Sequence, residues 1–239
     1  MNLIFVHGAW HDATCWDPVI SSLKEFAQVH ALDMPGRVFE LSRAYQKISL
    51  NDYVNYIQDY IDTLDGPIIL VGHSLAGLTI SQVAENRSDQ IAQLIYVAAF
   101  IPISGESLFD MTSKIKTPGI STELDVCPLQ NRISIYHSQR TRDLFYNFCD
   151  RADAESALHR LIPEPLKAFT TPVQLSTEHF GQVPKAYIRC LNDQAILLVD
   201  QQKMIEKTNI QTILDLSADH SPFLSKPEQF VDSLKHILL

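Results

Sequence analysis

The chain is 239 residues long, 46% apolar and 20% charged, with a formal net charge of −9 at pH 7. That length carries one large α/β domain or two small ones around a core of useful size. The acidic balance argues against nucleic acid and anionic membrane surfaces as partners.

Residues 3–6, Leu-Ile-Phe-Val, predict a buried strand that ends at His7-Gly8-Ala9-Trp10. With no basic start and no long apolar run, this opening is expected to be neither a signal peptide nor a membrane span. Residues 16–26 predict a helix with Asp17 as N-cap, Pro18 at its first position, and Leu23 and Phe26 facing inward. A strand over 29–32 runs into Asp33-Met34-Pro35-Gly36, where Asp33 is read as a turn former. Tyr53, Ile57, Tyr60, Ile61 and Leu64 fall at helical spacing, and Asp65-Gly66-Pro67 stops that helix.

Residues 67–78 organise the chain. Ile68-Ile69-Leu70-Val71 is the pattern of a fully buried parallel strand, and Gly72-His73-Ser74-Leu75-Ala76-Gly77 leads straight into a helix. A serine at the apex of so short a turn, between small residues, predicts a nucleophile elbow of the Gly-x-Ser-x-small type. The plainer reading is a serine N-cap on an ordinary strand-to-helix turn.

A fourth strand is expected over 94–100, then a fifth over 186–191 and a sixth over 212–216, with helices over 199–207 and 227–238. Alternation of this kind predicts an α/β fold, a mostly parallel sheet of about six strands with helices on both faces. Residues 101–185 are too long for an idle loop. They predict a mostly helical cap inserted after the fourth strand, with helices near 141–149 and 153–161 and a weak edge strand at 131–136. The domain is thus one body, 1–100 and 186–239, with a cap over 101–185. Phe109, Phe145 and Phe148 are candidates to line an apolar pocket beneath it, or to glue cap to body. Cys15, Cys127, Cys149 and Cys190 lack paired spacing and are expected as free thiols of a reducing, cytoplasmic compartment. Neither a metal nor another cofactor is expected, and a homodimer is left open.

A serine nucleophile needs a base, an acid and oxyanion donors. His220, in the loop after the last strand, is placed to serve as base. Asp193, directly after the fifth strand, completes the chain order Ser, Asp, His, with Glu106 as the main rival and Asp215 and Asp219 as weaker ones. The backbone N–H groups of Leu75 and Ala9 are the expected oxyanion donors. His7 and His11 are candidates for substrate contact, a structural role being the plainer reading, and Gly8 and Ser221 are further candidates to touch the substrate.

These residues resemble the α/β-hydrolases, and within them the plant methylesterase and hydroxynitrile lyase group. The resemblance spans Val6-His7-Gly8-Ala9, Ala31-Leu32-Asp33, Val71-Gly72-His73-Ser74-Leu75, Val97 to Pro102, His179-Phe180-Gly181, Tyr187 to Cys190 and Ala218-Asp219-His220. It implies a triad of Ser74, Asp193 and His220 with Ala9 and Leu75 as oxyanion donors. Lyases of the group carry a lysine after the triad histidine and a threonine after the first-strand histidine. Ser221 and Gly8 stand there, so the resemblance implies a hydrolase of small, apolar or aromatic, methyl-type esters. A cyanohydrin or carbon–carbon lyase is the alternative, drawing a cation from Lys114 or Lys116, and a non-catalytic ligand receptor is a third class. Replacing Gly8 by threonine and Ser221 by lysine is expected to favour the lyase reaction.

Overall fold

β1 (Asn2–Val6) sends Leu3 and Phe5 into one core and Ile4 and Val6 into another, all fully buried. A strand covered on both faces needs an unbroken apolar run. Each such side chain contributes about 1.5–3 kcal/mol by leaving water. In the computed structural model, which describes residues 1–36, 45–115 and 120–239, the chain continues through α1 (Asp17–Leu23), β2 (Gln28–Leu32), α2 (Leu50–Ile61), β3 (Ile68–His73), α3 (Ala76–Asn86) and β4 (Ile91–Val97). An insertion follows, with α4 (Leu108–Ser113), β5 (Leu124–Cys127), β6 (Arg132–Ile135), α5 (Gln139–Phe145), α6 (Arg151–Arg160), β7 (Glu164–Pro165) and α7 (Leu166–Thr170). The body resumes with β8 (Lys185–Cys190), α8 (Leu198–Glu206), β9 (Thr212–Leu216), α9 (Pro222–Ser225) and α10 (Pro227–Leu238).

The body is a parallel six-stranded sheet in the order β2-β1-β3-β4-β8-β9. One core lies between the sheet and α1 and α10, holding Phe5, Trp16, Val71, Ile188 and Phe230. The other holds Leu70, Tyr96 and Tyr187 with α2, α3 and the insertion. Among the described residues no helix is long and apolar enough to cross a membrane, and all four cysteines are unbridged.

Several boundaries differ from the sequence expectation. Asp17 does not cap α1, because Trp16 holds that position without a side-chain bond, while Asp12 caps the preceding 3-10 turn by accepting from Thr14 N–H. Phe26 lies past the end of α1, 42% exposed, with the Lys235 ammonium 4.3 Å above its ring. β4 starts at Ile91 and leaves the sheet at Val97, since Phe100 N–H turns to the Ser74 carbonyl (3.1 Å). The insertion is mostly helical, through α4, α5, α6 and α7. It carries an antiparallel sheet, β5-β6-β7, so residues 132–135 form its central strand rather than an edge.

At the entry to β8, the buried Lys185 donates to the carbonyls of Phe180 (2.6 Å) and Val183 (2.7 Å). Burial pushes its ammonium down to about 8.

Candidate active site

Ser74 stands where β3 turns into α3, with φ +54°, a left-handed conformation that a residue with a side chain rarely adopts. The turn is held on three sides. Ser74 N–H donates to Val97 (3.3 Å), and the Ser74 carbonyl accepts from Gly77 and Phe100 (both 3.1 Å). Close approach explains the small residues. A Cβ on Gly72 would meet Ile80 Cδ1 at 2.8 Å, and one on Gly77 would lie 1.9 Å from the Phe100 carbonyl oxygen. Glycine at 77 is therefore what lets the helix lie against the exit of β4. The alternative of Ser74 as helix cap does not hold, since the N-cap is Leu75, with no side-chain bond. The first N–H groups of α3 thus lack a side-chain acceptor and face the serine with the helix's positive end.

His220 is buried in the loop after β9, and its Nδ1 lies 2.8 Å from Asp193 Oδ2. A carboxylate only accepts, so Nδ1 carries the hydrogen and the neutral ring keeps Nε2 as its basic atom. Phe145 stacks on the ring at 5.3 Å. The His220 carbonyl accepts from His73 Nε2 (2.8 Å). Burial, then His220 and His11 as neighbours, holds the His73 pKa well below the usual histidine value, so it is neutral at pH 7.

Asp193 sits in the loop from β8 to α8, buried, its Oδ1 accepting from Ala195 N–H (2.7 Å) and Ile196 N–H (2.8 Å). The loop is stiffened by the fully buried Gln201, whose amide accepts from Cys190 N–H (3.1 Å) and donates to the Cys190 (3.0 Å) and Ile196 (2.8 Å) carbonyls. The rival carboxylates are otherwise occupied. Glu106 accepts from Ile103 N–H and Lys114, Asp215 pairs with Arg189, and Asp219 accepts from Ser221 N–H, Ser225 and Phe148 N–H.

The loop after β1 is set by two histidines. His7 Nε2 accepts from Met34 N–H (3.1 Å), which leaves Nδ1 to donate to the Gly8 carbonyl (2.9 Å). His11 Nδ1 donates to the Ala9 carbonyl (2.9 Å), while its Nε2 accepts from the Tyr146 hydroxyl (2.9 Å). Both carbonyls are thus held by imidazoles.

Ser74, His220, Ala9 and Leu75 line one cavity of about 40 Å³, together with His11 and Phe145. Trp10, Phe100, Leu108, Thr112, Ile120, Phe169, Ala195 and Ile196 complete its wall. Of the other expected pocket residues, Phe109 is 62% exposed on the outer side of α4, and Phe148 is 42% exposed beyond the end of α5. Neither lines the cavity. Gly8 sits behind it, where a Cβ would strike His73 Nδ1 at 2.7 Å and Ser74 Cβ at 2.9 Å. Ser221 is fully buried outside the lining. No lysine or arginine among the described residues lines the cavity, Lys114 being paired with Glu106. Lys116 lies outside the described residues. Among the described residues, no cluster of three or more histidine, cysteine or acidic side chains could hold a metal.

Sequence comparison matches residues 3–233 to the alpha/beta hydrolase family. Putative methylesterase 14, chloroplastic, of Arabidopsis thaliana is 26% identical over 250 residues, covering 100% of this chain and 71% of that protein. The pyrethroid hydrolase of Sphingobium wenxiniae is 24% identical over 255 residues, covering 98% and 86%. The crystal structure of a pyrethroid hydrolase from Sphingobium faniae superposes with a TM-score of 0.89 at 23% identity, over 99% of this chain and 96% of that one.

Proposed function

The chain belongs to the alpha/beta hydrolase family, and from that premise we propose that it is a serine carboxylic ester hydrolase of small, apolar or aromatic, methyl-type esters. One observation carries this reading: the 2.8 Å bond from His220 Nδ1 to Asp193, on a cavity that the strained Ser74 also lines. Ser74 Oγ attacks the ester carbonyl as His220 Nε2 takes its proton, and Asp193 stabilises the imidazolium. The N–H groups of Leu75 and Ala9 receive the oxyanion. His220 returns the proton to the departing alcohol, and water, activated in the same way, frees the acid from Ser74. The insertion over 101–185 acts as the cap that closes the apolar side of the cavity. One water needs about 10–15 Å³, so a cavity of about 40 Å³ admits a small apolar group.

A lyase releasing cyanide needs a cation near the leaving group, and the described lining supplies none. The test is a panel of methyl, aryl and p-nitrophenyl esters with mandelonitrile alongside. Ester hydrolysis that is lost in Ser74→Ala, with little mandelonitrile cleavage, is the expected result. Efficient cyanohydrin cleavage, or turnover unchanged in Ser74→Ala, would refute it.

A further inference from the structure

The residue after the oxyanion donor Ala9 is in an unusual state. Trp10 has φ +64°, while Ala9 is not among the residues of positive φ, and His11 N–H closes onto the Gly8 carbonyl at 3.4 Å. That is a type II turn over residues 8–11, whose third position favours glycine or asparagine. A bulky tryptophan there relaxes toward the type I turn, by flipping the Ala9–Trp10 peptide, unless its surroundings hold it.

The insertion supplies the hold. Trp10 N–H donates to Glu164 Oε2 (2.8 Å), the Trp10 indole N–H donates to the Ile133 carbonyl (3.1 Å), and the Trp10 carbonyl accepts from Ile162 N–H (2.9 Å). Ile133 and Glu164 are cross-strand partners on β6 and β7, so one residue pair grips both the backbone and the ring. The other Glu164 oxygen accepts from the buried Tyr53 hydroxyl of α2, which fixes the carboxylate to the body. On the far side of the peptide, His11 Nδ1 holds the Ala9 carbonyl (2.9 Å) against any flip.

We propose that Glu164 is a positioning residue for the oxyanion hole: by holding Trp10 N–H it pins the Ala9–Trp10 peptide, the plane next to the one that carries Ala9 N–H, and so fixes the backbone of the donor. The inference rests on the ester hydrolase reading. It makes seating of the insertion a condition for transition-state stabilisation as well as for closing the cavity.

The experiment compares Glu164→Ala, Glu164→Gln and Tyr53→Phe in hydrolysis of p-nitrophenyl acetate and in inhibition by an apolar trifluoromethyl ketone, whose adduct presents an oxyanion. Glu164→Ala is expected to lower kcat about 10- to 100-fold, short of the loss for deleting a donor outright. KM stays within about threefold, because the lost interaction belongs to the transition state, and ketone affinity falls in parallel with kcat. Glu164→Gln, whose amide oxygen still accepts from Trp10, recovers most of kcat. Tyr53→Phe severs the anchor but leaves the Glu164 bond to Trp10 N–H, so it lowers thermal stability and costs clearly less kcat than Glu164→Ala. Should Glu164→Ala not fold, Glu164→Met keeps the bulk without an oxygen acceptor and gives the same readout. Wild-type kcat in a folded Glu164→Ala, or equal losses in Glu164→Ala and Tyr53→Phe, overturns the positioning role while leaving the hydrolase reading intact. Absence of Ser74-dependent turnover in the wild type overturns both.

Discussion

Replacing Asp193 by asparagine changes one atom, and the surroundings dictate which way the amide points. Oδ1 accepts from two backbone N–H groups, at 2.7 and 2.8 Å. An NH2 placed there would face two donors, so the amide oxygen keeps that site and the nitrogen turns toward His220 Nδ1, 2.8 Å from the present oxygen. Two N–H groups cannot share that line, so the neutral imidazole moves its hydrogen to Nε2. The base then offers Ser74 a donor where an acceptor is needed. In the serine protease template this wrong tautomer costs about 10⁴ in kcat, about 5.4 kcal/mol of barrier. The loop retains its bonds from Ala195 and Ile196, so folding stability should change by only about 1 kcal/mol. Steady-state hydrolysis of p-nitrophenyl acetate, with urea unfolding in parallel, measures both. Glu106→Gln is the control, since that carboxylate binds Ile103 N–H and Lys114, and it should cost little. A folded Asp193→Asn within tenfold of wild type, or a larger loss in Glu106→Gln, would refute the assignment of the acid.

Gly8→Thr with Ser221→Lys should abolish ester hydrolysis without creating a lyase, because the new Cβ at position 8 would push on the His73 ring at 2.7 Å and on Ser74 at 2.9 Å. Displacing the nucleophile by about 1 Å costs about 10² in rate, so esterase activity retained alongside cyanohydrin cleavage would show that the turn yields more easily than its packing implies. Gly77→Ala places a Cβ 1.9 Å from the Phe100 carbonyl oxygen. Overpacking there should destabilise by about 3 kcal/mol or more, read as a lowered urea midpoint, and an unchanged midpoint would contradict the close approach. Lys185 predicts a pH effect, with the ammonium at about 8 in the fold and at its ordinary 10.5 when unfolded. Between those values the unfolded chain binds the extra proton, so stability rises with pH. Relative to Lys185→Met, the wild type should gain at most about 1.4 kcal/mol per pH unit from pH 8 to 10, and no such gain would mean that the lysine is not desolvated.

The elbow was legible in the sequence because its constraints are local: a β-branched run, small residues at fixed offsets, and a helix start. The parallel sheet followed from alternation, and Asp193 and His220 from their place after successive strands at one sheet edge. Legibility failed where contacts span the chain. Nothing near Glu164 in sequence signals Trp10, 154 residues away, and nothing near Gln201 signals the loop it stiffens. In the pocket, short helices defeated periodicity. α4 has six residues and turns Leu108 and Met111 inward, which sends Phe109 to solvent, and α5 stops at Phe145, which leaves Phe148 outside. Of the small sheet in the insertion only the strand at 131–136 was legible, because β7 is two residues long and β5 has no clear alternation.

The central claim is that Ser74 is a nucleophile activated by His220. A fluorophosphonate probe followed by peptide mapping tests it directly. One label per chain on Ser74, absent in Ser74→Ala and strongly slowed in His220→Ala, is the predicted result. Labelling of another serine, or undiminished labelling in His220→Ala, would contradict it.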